Sequence, residues 1–424
     1  MKQENMTRFN RIFPWYLGLS GDLLFWIAID TLFLTVVKNF NASQIVSLTT
    51  VSLVTCILLQ PLLLKIIKKT GNTNSVRMGA LLLLIASLLL TFGKKYVVIA
   101  LGNIFYEIAF TFQNMANVML KNNLELQNRN DDYIKIKTKA NTIYAIVTMI
   151  ISFIASIMFN LNNYLPMLGC IAFCLICFIL SFYIADYSQY DKVKKEIKNK
   201  SNKKIRYSKL IVILLVSYGL FYPIVNSGQS NGKLFIQQEL LLNFDVETTA
   251  LIIGAILCIS RMIRVISNIS FNKIHNKYKE KVGVILPILL SISTVLMILG
   301  SFIKNFIILK FSIMSLGYII ILFIRDPFKV YMQDLALKKV GKENQQSLLT
   351  TMELSRKVVR AILSLIFTII LMKNPMITVI IILFILSVIE ILVSIKLYEL
   401  VINEKELKIK SEESSNRNCE QTLC

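Results

Sequence analysis

The sequence predicts an all-α integral membrane protein: twelve transmembrane helices in two pseudo-symmetric six-helix halves. Three observations carry this. Of 424 residues, 55% are hydrophobic and only 17% are charged, with a mean hydropathy of +0.62; a soluble chain carries about 25% charged residues. The apolar residues fall in blocks long enough to cross a bilayer. The basic residues fall mainly between those blocks.

A hydrocarbon core of roughly 30 Å takes about 20 helical residues. Twelve segments qualify: 13–37, 44–64, 76–93, 96–119, 140–159, 163–185, 209–241, 247–271, 282–303, 305–336, 347–372 and 374–398. The first is no cleavable signal peptide. It is too long, contains Asp22 and Asp30, and has no small-residue cleavage site after it.

Orientation follows from Lys and Arg in the connections. With the N-terminus inside, 33 of the 47 basic residues lie in inner segments, counting Lys396 at the inner end of the last span. The outer turns hold five: Lys38, Lys94, Lys95, Lys304 and Lys373. Both termini are therefore expected in the cytoplasm. The net charge of +22 reads as contact with membrane lipid, and a nucleic-acid partner is not expected. The Lys-over-Arg and Ile/Asn bias suggests a bacterial plasma membrane.

Residues 1–185 form the predicted N-terminal half, 186–208 a basic cytoplasmic linker, 209–400 the C-terminal half and 401–424 a polar cytoplasmic tail. Seven cysteines make no disulfide framework: Cys170, Cys174 and Cys177 share one apolar block, and the single histidine, His275, stands in a Lys-rich stretch. No metal site and no cofactor are expected.

The halves repeat weakly. At an offset of 204, Asn39-Phe40 falls on Asn243-Phe244, Lys69 on Lys273, Gly79 on Gly283 and Asp22 on Asn226. At 212, Tyr106 falls on Tyr318, Gln113 on Arg325 and Asn114 on Asp326. The loop after span 2 runs Leu64-Lys-Ile-Ile-Lys68-Lys69-Thr70-Gly71, with Arg77 and Gly79 following. It is similar to the Gly-x-x-x-Asp-Arg-x-Gly-Arg-Arg motif of the major facilitator superfamily. Gly71 and Gly79 keep the separation and Lys69 stands for the Arg, whereas Leu64 replaces the first glycine and Lys68 the acid. With 6+6 spans and both ends inside, residues 10–400 resemble that family.

The resemblance implies that spans 1, 4, 7 and 10 line a central cavity, and the polar residues follow that pattern. Span 1 carries Asp22, Trp26 and Asp30; span 4 carries Glu107, Gln113 and Asn114. Span 7 carries Tyr222, Asn226 and Gln229, and span 10 carries Arg325 and Asp326. Spans 3, 6 and 9 contain no internal charge, and span 12 has only Glu390. Asp22 and Glu107 lie roughly 14 and 16 Å into their spans at about 1.5 Å per residue. A charge at the bilayer centre costs about 2.5–3.5 kcal/mol and needs a partner, water or a proton. Either acid is a candidate for proton or substrate binding, or for fixed pairing with cations of the other half. Asp30, Arg261, Arg264, Arg356 and Arg360 are expected to gate or to hold structure, and Glu353 has Lys357 within reach one turn along span 11. Pro223, Gly228, Gly232 and the polar run between them predict an interrupted span 7. Aromatic residues on spans 1, 4 and 7, among them Trp15, Tyr106, Phe112 and Tyr218, offer stacking faces or ordinary packing.

The resulting expectation is a monomeric secondary transporter working by alternating access, proton-coupled and exporting an amphiphilic or cationic small molecule. The alternatives are uptake of a small polar or anionic nutrient, and a non-transporting receptor or assembly protein on the same scaffold. No catalytic residues are expected: the chain has neither a Gly-x-x-x-x-Gly-Lys loop nor a Gly-x-Ser-x-Gly turn.

Overall fold

The computed structural model describes residues 2–129, 132–188, 208–339 and 345–422; most of the expected linker lies outside them. Helices follow one another without a strand among the described residues. They are α1 (Lys2–Leu19), α2 (Trp26–Leu32, continued by a π-helical turn Phe33–Val37), α3 (Ala42–Phe92), α4 (Tyr96–Gln113), α5 (Met115–Leu126), α6 (Asp132–Leu161) and α7 (Leu165–Ser181). Then come α8 (Lys209–Leu241), α9 (Val246–Tyr278), α10 (Val282–Phe302), α11 (Ile307–Lys339), α12 (Gln345–Ile370) and α13 (Met376–Thr422).

These helices account for twelve spans. Eight stretches are long and apolar enough to cross a membrane, and Trp26–Val37 and Leu165–Ser181 are shorter apolar helices. The 51-residue α3 holds two spans, because Gly71 breaks it at φ 84° and ψ 172°. A side chain is strained at that φ, so glycine is the residue that lets the chain reverse there. The remaining span is α12, whose Glu353, Arg356, Lys357 and Arg360 make it less apolar than its neighbours. Asn41 starts α3 with a reciprocal cap: its side chain accepts from the Gln44 N–H at 2.8 Å, and the Gln44 side chain accepts from the Asn41 N–H at 3.0 Å.

The described chain forms two compact units. The first comprises Met1–Asn202, Lys233–Val265 and Ala361–Met376. It contains a buried cluster of Phe9, Phe13, Tyr16, Val76, Met119 and Leu124. Beside it, buried Asp186 accepts hydrogen bonds from Asn72 and Asn122, each at 2.8 Å, and its N–H donates to Thr73 at 2.9 Å. A carboxylate after span 6 thus anchors the turn between spans 2 and 3. Elsewhere in this unit Ser43 donates to the Thr368 carbonyl at 2.9 Å, Thr50 to Ser364 at 2.8 Å and Asn160 to the Glu247 carbonyl at 3.1 Å.

The second unit comprises Lys203–Gly232, Ile266–Arg360 and Ile377–Cys424. Phe221 of α8 stacks on Phe328 of α11 with ring centroids 3.6 Å apart. Gly283 of α10 lies against the Tyr331 ring, as its repeat-mate Gly79 in the first unit lies against Ala109 and Gln113 of α4. In both units the glycine lets span 3 or 9 approach the following helix closely.

Span 7 departs from expectation. α8 is a continuous helix of 33 residues from Lys209 to Leu241. Its polar side chains are buried in protein: Asn226, Ser227, Asn231, Lys233 and Gln237 are each at most 7% exposed. Lys233 and Gln237 find acceptors on span 1, and the helix stays closed around the rest. Gly228 and Gly232 admit Ile321 and Met297 to close contact; they serve packing and not a break. The interruption lies in span 1 instead, where α1 ends at Leu19 and α2 begins at Trp26.

Candidate transport site

The break in span 1 centres on Ser20-Gly21-Asp22. The Asp22 Oδ1 accepts the N–H of Leu23 at 2.9 Å, a local bond that competes with the helical ladder. With the chain turned there, the half-buried carboxylate meets two phenols. Tyr106 of α4 donates to Oδ1, and Tyr144 of α6 reaches Oδ2 at 3.4 Å. Three donors from three segments converge on one carboxyl group. All three hydrogen bonds are made to its two oxygens.

Further along span 1, Asp30 has a fixed partner. Lys233 of α8, 7% exposed, gives its ammonium to the Asp30 carboxylate and to the Ile27 carbonyl at 3.0 Å. Buried Arg261 of α9 lies in the electrostatic neighbourhood of Lys233, with Arg264 one turn beyond. Gln237 donates to the Thr31 carbonyl at 3.4 Å. This stretch is held by an ion pair and by hydrogen bonds to two backbone carbonyls.

Glu107 is half-buried immediately after Tyr106 on α4. Gln113 is buried, and its Oε1 accepts the Tyr16 hydroxyl at 2.8 Å. Asn114 is exposed at the junction of α4 and α5. Trp26 is buried and packs edge-on against Phe33 at 6.3 Å. Trp15 is 51% exposed and Phe112 is buried, so these rings do not all gather at one place.

The second unit holds a different constellation. Tyr222, 2% exposed, stacks with Tyr218 at 5.6 Å. Arg325 and Lys329 of α11 and Arg356 of α12 lie 6.0, 5.9 and 5.0 Å from the centre of the Tyr222 ring. Glu353 bridges two of them, Arg356 at 2.8 Å and Lys329 at 3.5 Å, and accepts the Tyr218 hydroxyl at 2.9 Å. The sequence puts Lys357 within reach of Glu353, but the partners of Glu353 are Arg356 from the same helix and Lys329, which α11 brings to the same carboxylate. Arg325 donates to Gln229 at 2.9 Å, and Asp326 turns to Asn268 at 3.1 Å. Asn226 is buried one turn along α8 from Tyr222, and Arg360 stands one turn from Arg356 on α12.

Two contacts are not expected from the sequence: Tyr144 with Asp22, and Lys329 with Glu353. Lys329 had a signal, one turn after Arg325 on the same helix. Tyr144 had none, since only the fold brings span 5 to Asp22.

No protein-family model matches the chain, and no curated protein matches it by sequence. Solved structures do. A mutant of the nucleoside transporter NupG superimposes with a TM-score of 0.70 at 13% identity, covering 92% of this chain and 99% of that one. A bacterial homologue of the iron transporter ferroportin, in an inward-facing state, gives 0.68 at 14% identity, covering 93% and 99%. A bacterial metal transporter gives 0.64 at 12%, covering 93% and 98%. The chain therefore has the all-helical membrane-transporter fold that these structures share, the fold class that its resemblance to the major facilitator superfamily implies.

Proposed function

We propose that the chain is a secondary transporter of a small molecule that works by alternating access, with Asp22 as its coupling acid. The convergence of Tyr106, Tyr144 and the Leu23 N–H on that carboxylate carries the reading. A proton taken up by Asp22 weakens three hydrogen bonds at a point where the helix is already open, so protonation and local geometry change together. The same step removes the carboxylate's attraction for a positively charged group. Proton-coupled export of an amphiphilic or cationic compound follows most directly, as antiport across a bacterial plasma membrane by a monomer with both ends in the cytoplasm. Glu107, next to Tyr106, is the reserve acid in this reading. The moving bodies would be residues 1–185 and 209–400, joined through 186–208.

A second reading has its own observation. Three cations about one buried tyrosine ring, with Glu353 bridging two of them, suit a polar or anionic solute. Reconstituted vesicles separate the possibilities. Under an imposed pH gradient, flux of amphiphilic cations supports the first reading and flux of organic anions the second. Binding of either class without flux would leave a receptor on a transporter scaffold. For orientation, single cysteines in a cysteine-free background should be labelled from the cytoplasm at Lys277 and from outside at Asp245.

A further inference from the structure

Glu390 stands apart from both constellations. It lies on α13 within span 12, about 12 Å from the inner end of the span at 1.5 Å per residue, and is 0% exposed. Its Oε1 accepts the hydroxyl of Ser217 from α8 at 2.5 Å and that of Ser394, one turn along α13, at 2.9 Å. Ser217 and Ser394 are themselves 3.5 Å apart, so three side chains close a triangle of oxygens. Oε2 is buried and has no hydrogen-bond partner. One turn back along α13, Ser387 meets Ser291 of α10 at 2.7 Å. The groups facing Glu390 are thus Ser217 from α8 and Ser394 from its own helix, with the Ser387–Ser291 pair linking α13 to α10. No lysine, arginine, histidine or second carboxylate among the described residues forms an ion pair or hydrogen bond with it.

A bare carboxylate in such surroundings is not tolerated; it is neutralised. Two hydroxyls on one oxygen share the charge without cancelling it, and the other oxygen faces no donor. The donor set is all oxygen and hard, which excludes soft metal ions and fits the smallest cations. Each serine oxygen, while donating its own hydrogen to Oε1, keeps lone pairs for a second partner. We propose that Glu390, Ser217 and Ser394 form a site for a small monovalent cation, a proton or Na+, held between spans 7 and 12. The site is independent of the Asp22 reading. It puts a cation-binding carboxylate in the C-terminal half, where the repeat sets neutral Asn226 against Asp22.

Infrared difference spectroscopy on the purified full-length protein tests this at neutral pH in choline buffer, comparing wild type with Glu390→Gln. The amide keeps an acceptor for both serines, so the variant preserves the packing. A carbonyl band of a protonated carboxyl group, present in wild type and lost in Glu390→Gln, establishes the proton. Ser217→Ala supplies the control: it retains the acid and should shift that band, because one hydrogen bond to the carboxyl oxygen is gone. If the band is missing, Na+ is added in place of choline, and a rise in melting temperature in wild type that Glu390→Gln lacks establishes Na+. The proposal is overturned by a wild type with neither the band nor the Na+ response. A band that Ser217→Ala leaves unmoved overturns it equally, because Ser217 would then take no part in holding the carboxyl group.

Discussion

Lys233 and Asp30 form an ion pair in which the lysine is almost fully enclosed, 7% exposed, while the aspartate is 34% exposed. The lysine is therefore the member that depends on the bond. Its long side chain also caps the Ile27 carbonyl at 3.0 Å, so span 1 just beyond its break is tied to span 8's predecessor by two contacts from one ammonium.

From this asymmetry, Asp30→Asn is expected to cost on the order of 3 kcal/mol, because it leaves a buried ammonium with no opposite charge. Lys233→Met should cost less, since Asp30 can turn to water. The double variant should lie well above the sum of the two. Thermal melting of the four proteins in one detergent measures the cycle, and strict additivity would show that the pair contributes nothing.

Lys329 distinguishes the two substrate readings. It approaches Glu353 at 3.5 Å while Arg356 holds the same carboxylate at 2.8 Å, so Glu353 stays paired in Lys329→Met. Transport of a cationic compound should then change less than about twofold. Transport of an anion that uses Lys329 should fall about tenfold or more, the size of a hydrogen bond to a charged group. The check is initial rates in vesicles with each substrate class.

Acid sensitivity should appear where α13 meets the connection between α9 and α10. Lys405 bonds Glu280, in the connection between α9 and α10. Burial pushes the Glu280 carboxyl up. The hydrogen bonds from Lys405 and from the Glu280 N–H, with the charges of Lys405 and His275, outweigh burial and hold it below its ordinary value. A carboxyl lowered on folding adds stability above its unfolded value, about 4.3, and loses it as pH falls through the folded value. The melting temperature of wild type minus that of Lys405→Met should be positive and constant above about pH 5, then shrink toward zero in stronger acid. A difference independent of pH would contradict the pairing.

Much of the architecture is legible in the sequence because bilayer thickness sets span length and Lys and Arg collect between spans. Gly71 marks the reversal in α3, where its left-handed backbone is needed. Polarity inside a span is harder to interpret, since it has two solutions: the helix opens, or neighbouring helices supply partners. Span 7 takes the second and span 1 the first. The difference is visible afterwards in Ser20-Gly21-Asp22, whose side chain can bond the next backbone N–H, whereas Gly228 and Gly232 face Ile321 and Met297. Asp22 itself could be singled out by its depth, but its partner Tyr144 is 122 residues away. Only tertiary structure joins them. The pairing of Glu353 with Lys329 is hidden for the same reason, while Lys357 was merely nearer along the helix.

The central claim is that Asp22 couples transport to protons, and replacement by the isosteric amide tests it most directly. Asp22→Asn keeps an oxygen for Tyr106 while deleting the titratable charge. In vesicles loaded with a transported substrate, wild type should move it against its gradient when a pH gradient is imposed. Asp22→Asn should lose that driven flux by at least about tenfold, the size of a lost hydrogen bond to a charged group, yet retain substrate exchange without a gradient. Driven flux at the wild-type level in Asp22→Asn would show that the carboxylate is structural and that coupling resides elsewhere.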